Sequence, residues 1–318
     1  MATQMTTTAV VDPAVAVYYS RTLLQNMYPM YIHDMGADHY SIKQKSGNTL
    51  KFRRYNKLPA ATTPLTEGVT PVANVWGKTD LLVTVQQYGA FAIVTDVVDY
   101  TVEDPTLNKL ADEQGEQLGL TMDTITRDVL YASASYVACS GGGNAQTITE
   151  LSRTDIQSAT VSLLAADARM ISTARPGSTR VGTAPVREAF FGIGHIDEIP
   201  AIDAVTGVIH KAQYPNPVDI DPAEWATTDN VRWFLSTNAK RYSSSPYLYA
   251  NFIIGKYAYG VVDMDGGTIS HIFKPFDAPD KSDPLNQTAT SGWKTWQAAR
   301  ILNDSLMLNL AASNKAAS

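Results

Sequence analysis

Five histidines, a single cysteine and a scatter of carboxylates carry what catalytic or metal-binding chemistry this 318-residue chain could offer. His33, His39, His195, His210 and His271 fall at no metal-ligand spacing. His195 stands close before Asp197 and Glu198, an arrangement in which a carboxylate could orient an imidazole for general acid–base work, as in a hydrolase. No serine sits in a nucleophile elbow to be served by it, and Cys139 carries no local signature of a reactive thiol. The residue types therefore favour a structural histidine. Gly77-Lys78-Thr79 ends like a phosphate-binding loop, but Val72 stands where the first glycine is needed, and an alternating strand pattern follows in place of a helix. Asp263, Asp265 and Gly266 begin like a calcium loop, yet Lys274 falls where the bidentate glutamate belongs, so a surface turn is expected. The glycines at 141–143 open no helix beside a strand and read as a connector. Trp225, Trp233, Trp293 and Trp296 could stack on sugars or bases, although large aromatics more often pack cores and protein interfaces. No catalytic residue, cofactor or metal is assigned.

Composition narrows the classes further. The formal net charge is -6. A duplex-DNA reader needs a basic face, and the nearest approach is Lys51, Arg53 and Arg54. A mildly acidic protein would avoid sticking to a polyanion beside it. One cysteine allows no intrachain disulfide, which fits a reducing cytoplasm. The first residues show neither the basic nor the apolar region of a signal peptide. The longest apolar stretch, around 247–254, is interrupted by Asn251 and falls far short of a membrane span. The length suits two lobes.

The elements that must position these residues are unusual. Residues 1–11 read as a flexible arm, and Asp12-Pro13 as the start of a short helix through about Leu24. Leu50 and Phe52 alternate with Lys51 and Arg53 as a strand does. Pro59, Pro64 and Pro71 then exclude a helix and interrupt sheet pairing, so 62–70 should be extended and exposed. Alternation across 80–96 predicts a strand of roughly 50 Å, with Gly89 as the bend between an arm and a body. Asp104-Pro105 opens a helix to about Ser133, whose stripe is Leu107, Leu110, Ala111, Gln114, Leu118, Met122, Ile125 and Val129. Gly115 and Gly119 sit one turn apart in it and point to a close backbone contact or a bend. A connector at 140–144 precedes a helix opened by a Thr154/Gln157 capping box, with Ile156, Val161, Leu164 and Ala168 on its face. Mixed short helices and strands follow to about Lys274, as in an α+β lobe, with 249–262 strand-like and a turn at 265–267. Across 293–310 strand and helix periods compete, and the alternation of Leu306, Leu308 and Leu310 favours strand. Arg53 and Arg54 could meet phosphate or the carboxylates of a partner subunit, and the acidic balance favours the carboxylates. A loop and strand of this length suit a protein that reaches across a neighbouring copy of itself.

Several segments in one order carry a resemblance. They are FRRYNKLPAATTPLTEGVTP (52–71), VQQYGAFAIVTD (85–96), EDPTLNKLADEQGEQLGLTMDTITRDVL (103–130), FIIGKYAYGVV (252–262), SDPLNQ (282–287) and GWKTWQAARILN (292–303). The series resembles the major capsid proteins of tailed bacteriophages related to coliphage N-four. The resemblance implies an α+β fold of the Hong Kong 97 type, with an N-terminal arm at 1–47, an extended loop at 48–83 and a peripheral domain with a spine helix at 84–146. An axial domain at 147–279 and a return to the peripheral domain at 280–318 complete it. It implies hexamers and pentamers of an icosahedral virion shell around packaged double-stranded DNA, assembled in a bacterial cytoplasm without membrane contact. Portal and scaffolding or decoration proteins are the further partners implied. Leu50, Phe52, Arg53, Arg54, Tyr55 and Glu67 are the expected inter-subunit contacts. The short arm leaves no room for a removable scaffolding segment, and nothing assigns a lysine–asparagine crosslink. A cargo-loading nanocompartment of the same fold is the alternative, and the His195 hydrolase is a third reading.

Overall fold

Period-two alternation recurs along the chain, and in the computed structural model it becomes two sheets and a separate hairpin. Residues 32–97, 106–133, 135–140, 148–171, 188–213, 223–244, 247–266, 269–276 and 285–313 are described. The expected arm over 1–11, the helix from Asp12, the Asp104-Pro105 start and the 141–143 connector lie outside them. The first strands in chain order are β1 (Asp38–Ile42), β2 (Thr49–Tyr55), β3 (Lys78–Thr84), β4 (Gln86–Thr95) and β5 (Tyr136–Ala138). Then come β6 (Phe190–His195), β7 (Ile209–His210), β8 (Glu224–Thr228), β9 (Val231–Ser236) and β10 (Arg241–Ser244). The last are β11 (Tyr247–Ile254), β12 (Tyr259–Met264), β13 (Ser270–Lys274), β14 (Thr288–Ile301) and β15 (Met307–Ser313). Among the described residues three α-helices join them, α1 (Thr106–Tyr131), α2 (Arg153–Ala165) and α3 (Ile199–Ala204).

β14 organises the first sheet. It runs antiparallel to β4 from Thr288 to Gln297. On its other edge it takes β13 and then β12, and β1 closes the sheet in parallel with β12. α1 lies along one face of β14. Gln114 Nε2 donates to the Ser291 carbonyl and Ser291 Oγ donates back to Gln114 Oε1, both at 2.7 Å. Trp293 Nε1 donates to Gln117 at 3.1 Å, and Gln297 Nε2 donates to Thr126 Oγ1 at 3.3 Å. The match has a geometric cause. From Ser291 to Gln297 a strand advances about 20 Å, and from Gln114 to Thr126 a helix advances about 18 Å, so the period-two and period-3.6 stripes stay in register. Leu118 and Trp293 are the buried apolar pair between them.

The second sheet has eight strands in the order β5-β15-β11-β6-β9-β8-β7, with β10 also on β11. Its core gathers Ile156 and Leu163 of α2 with Phe190, Ile202, Trp233, Ile253 and Leu310. A second cluster, with Ile32, Leu130, Ile193, Phe252, Ile254 and Tyr259, joins this sheet to α1 and the first sheet. Polar bonds reinforce the junction. Asp123 Oδ1 accepts from the backbone N–H groups of Ile32 and His33, at 3.0 and 2.9 Å, and Oδ2 accepts from Asn238 Nδ2 at 2.8 Å. Burial pushes Asp123 up, and the bonds and charge from His33 with the Asn238 bond outweigh it and hold the carboxyl below its ordinary range.

Three expectations are corrected. The arm and body part at Val85, where the partner strand changes from β2 to β14, and not at Gly89, which sits inside β4 opposite Lys294. Gly89 answers to close approach, because a Cβ there would lie 2.6 Å from the Trp293 carbonyl oxygen. α2 is capped by Ser152, whose hydroxyl accepts from the Asp155 N–H, and not by Thr154. Its buried stripe is Ile156, Ala159, Thr160 and Leu163, while Val161 and Leu164 are exposed. The sheets also draw strands from distant parts of the chain. β12 and β13, from within 147–279, pair in the first sheet, and β15, from 280–318, lies in the second. Strand edges, once exposed, are completed by whichever segment the fold brings alongside. The segment 293–310 is strand as expected, interrupted by a short 3-10 turn at Asp304–Leu306.

Candidate assembly surface

β2 and β3 form a two-stranded hairpin of their own, in register from Thr49 opposite Thr84 to Tyr55 opposite Lys78. Its two faces differ. Leu50 faces Val83 and Phe52 faces Leu81. This side packs on the body, against Ile42, Val85, Val262, Ala298, Tyr40 and Trp296, with Phe52 edge-on to Tyr40 at 4.8 Å. The opposite face is exposed and charged. Asp80 accepts from Lys51 at 2.7 Å and from Arg53 at 3.0 Å, and those two cations hold its pKa down at about 2. Tyr55 stacks on Trp76 at 4.2 Å with 19° between the rings.

Beyond the hairpin the backbone closes once, where the Asn56 N–H donates to the Gly77 carbonyl at 2.9 Å. The loop past that neck is exposed throughout 58–76. Val72 is 95% exposed, Val75 94% and Leu65 79%, values suited to a surface awaiting a partner. At the tip the Val69 N–H donates to the Thr66 carbonyl, and Gly68 has φ of +78°. That pattern is a type II turn, which needs glycine at its third position and displays Glu67 at its corner. Lys57 also meets Asp167 of the same chain. Both side chains are largely in water, so the pair contributes little.

The expected contact residues thus separate. Leu50 and Phe52 turn toward their own subunit, and Arg53 and Tyr55 are engaged within the arm. Arg54 and Glu67 are exposed. Trp76 belongs with them, 60% exposed and stacked on Tyr55. Its place in an otherwise small-residue loop was the available signal.

The other chemical candidates resolve into structure. His195 Nδ1 accepts the Asp197 N–H at 3.1 Å and caps a 3-10 turn, Ile196–Glu198. Asp197 in turn accepts from the Tyr249 hydroxyl at 2.7 Å. Burial lowers the His195 pKa, with the Asp197 charge opposing. A ring nitrogen already occupied by a backbone N–H is not poised as a general base. Cys139 is fully buried, and desolvation pushes its thiol far above the ordinary range, which makes it inert. Lys78 and Thr79 open β3, with no helix behind the glycine. Asp265 and Gly266 form the turn after β12, and among the described residues no three metal-ligating side chains gather. Trp233 and Trp293 are core. Among the described residues no helix is long and apolar enough to cross a membrane.

A loop on a two-stranded stalk, a 26-residue helix along a sheet and a second sheet with its own core make up a fold similar to that of solved phage heads. The capsid of Ralstonia phage GP4 matches with a TM-score of 0.62 at 12% identity, over 90% of each chain. The head of Helicobacter pylori bacteriophage KHP40 matches at 0.64 and 10% identity, over 91% of this chain and 90% of that one. The cyanophage Pam1 capsid matches at 0.61 and 13% identity, over 91% and 92%. The chain adopts the Hong Kong 97-type capsid fold. No protein-family model and no curated protein sequence matches it. At these identities the Hong Kong 97-type likeness is one of fold, carried by packing and topology.

Proposed function

We propose that this chain is a major capsid protein, of the coliphage N-four-like kind its motif series resembles. Copies assemble into hexamers and pentamers of an icosahedral shell around double-stranded DNA, inside a bacterial host. Residues 48–83 act as the extended loop, 84–146 with α1 as the peripheral domain and 147–279 as the axial domain, with 1–47 and 280–318 completing the subunit. The observation that carries this reading is the loop itself, which holds Leu65, Val69, Val72, Val75 and Trp76 in water. Complete burial of such a side chain is worth about 1.5–3 kcal/mol. A contact made of several, repeated by symmetry, offsets the entropy lost when subunits dock. Prolines at 59, 64 and 71 restrict the free loop and reduce that loss. Arg54 and Glu67 are the ionic contacts, and Leu50, Phe52, Arg53 and Tyr55 hold the arm in the shape that docks. The function is structural: no catalytic step is assigned, and the net charge of -6 suits a container that must release its DNA. Portal and scaffolding or decoration proteins are its further partners.

Electron microscopy of the purified protein tests the proposal. Closed shells are expected. Uniform monomers under all assembly conditions would refute it, and shells filled with protein cargo in infected cells would turn it into a nanocompartment. Deleting residues 60–70 should leave circular dichroism unchanged and abolish shells. Normal shells from that deletion would contradict the role of the loop.

A further inference from the structure

β1 is a five-residue strand at the edge of the first sheet, and among the described residues β12 is its one partner strand. Just upstream the chain is fixed. Asp123 on α1 accepts from the Ile32 and His33 N–H groups, and the Tyr259 hydroxyl donates to the His33 carbonyl. A turn at 33–36 then leads into the strand, where His39 Nε2 meets Asp34 Oδ2 at 3.1 Å. The His39 side chain is 54% exposed and reaches water, whereas that of Asp34 is only 10% exposed. The charges acting on His39 are those of Asp34, Asp263 and Asp38. Asp263 lies opposite Ser41 on β12, on the side of the sheet that His39 shares. Each of these carboxylates holds one oxygen, Asp34 Oδ1, Asp38 Oδ2 and Asp263 Oδ1, buried without a hydrogen-bond partner among the described residues. Buried carboxylate oxygens left unpaired are costly. Among the described residues no three ligating side chains gather well enough to hold a metal ion, so the cation that fits this corner is the proton.

We propose that β1 is a pH-controlled latch: proton uptake by the cluster of His39, Asp38 and Asp263 beside Asp34 closes the strand on β12, and proton loss lets it lift about the turn at 33–36. Lifting uncovers the β12 edge from Gly260 to Met264 and the side chain of Ile42, which is 5% exposed and packs with Val262. The latch belongs to the single subunit and stands whether or not copies form a shell. The bond to Asp34 raises the His39 pKa above its ordinary 6.5; burial opposes the rise, and the charges of Asp34, Asp263 and Asp38 add to it. Burial raises Asp38 and Asp263 above the ordinary 3.8. Lys256 and His39 offset part of this at Asp38, and His39 part of it at Asp263, where the charges of Asp265 and Asp34 push further up. Every folded value lies above its unfolded one, so the three groups act in one direction. Their contribution to closure is complete below about pH 3.8, fades as pH rises through the raised aspartate values, and is lost above the raised His39 value.

Hydrogen exchange of dispersed subunits, followed by mass spectrometry at pH 5, 6, 7 and 8, reads the latch when each rate is divided by that of the unstructured chain at the same pH. Protection of the 38–42 amides should fall by roughly tenfold or more from pH 5 to 8, since each proton taken up on closing changes it by at most about tenfold per pH unit. Asp263→Asn removes a charge from the cluster, and should raise β1 protection at pH 8 and flatten the profile. His39→Gln removes the cation, and should lower protection at pH 5 and flatten the profile from the other end. Neither residue belongs to the buried core, so both variants should fold. Glu198→Gln, in the other sheet's lobe, should leave the β1 slope as in the wild type. A flat wild-type profile overturns the latch, and so does a slope that either cluster variant keeps in full. Loss of the β1 slope in Glu198→Gln would assign the pH dependence to global unfolding and overturn the latch as well.

Discussion

Glu198 should make the subunit less stable as pH rises from about 4.5 to 8, and replacing it with glutamine should remove that dependence. The residue is fully buried at the end of the 3-10 turn that His195 caps. Desolvation raises its pKa to about 8, the Asn251 amide offsets a little of that, and the charges of Asp197 and Glu150 add to it. Because the folded value lies above the ordinary 4.5, the unfolded chain releases this proton first. The stability tied to Glu198 is then complete below about pH 4.5 and is lost as pH approaches 8. Each tenfold change in proton affinity is worth ~1.4 kcal/mol, so the whole displacement amounts to at most about 5 kcal/mol. Urea unfolding of dispersed subunits, followed by tryptophan fluorescence at pH 5, 6, 7 and 8, measures it. Glu198→Gln should match the wild type near pH 4.5 and exceed it by about 3 kcal/mol at pH 7. A difference between the two proteins that stays flat from pH 5 to 8 would mean that Glu198 is already ionised in the folded state, and the desolvation reasoning would fail.

Two further substitutions probe the packing. Leu118→Asp places a charge at a site with 0% exposure against Trp293 and should destabilise the subunit by several kcal/mol; soluble protein with native near-ultraviolet dichroism would mean that the α1 face has been misread. Gly192→Ala in β6 would put a Cβ 2.7 Å from the Trp233 ring and 2.8 Å from Val231 Cγ1; a loss of about 1–3 kcal/mol in urea is expected, and an unchanged midpoint would show that this core yields more easily than its burial implies.

Both the arm and the spine helix were legible from the chain because their signals are short-range. Proline removes donors and restricts its own φ wherever it stands, so the exposed loop around Pro64 and Pro71 was foreseeable. The α1 pattern runs for seven turns, long enough for period 3.6 to exceed any competitor. α2 is shorter, and both of its possible stripes contain apolar residues. The sheet that happened to lie beneath it chose Ala159 and Leu163 over Val161 and Leu164. The same holds at the site. Glu67 and Arg54 are exposed as expected, but Leu50 and Phe52 look equally suited to a foreign subunit or to their own. Tyr40 and Val262, both remote in sequence from Val83, decide for their own. The exposure of Phe91, Ile93 and Ile272 was illegible, since alternation says that one face of a strand is buried and not which face stays bare.

By itself the amino-acid sequence determined the local geometry of this protein: where the backbone is extended, where it coils into a rod, where it turns at Gly68, and that no disulfide ties it together. The tertiary structure alone decided which strand lies beside β14, that the arm departs at Val85, and which apolar side chains remain in water. Backbone preferences act over a few residues, whereas pairing and burial depend on segments hundreds of residues apart that meet only when the chain has folded.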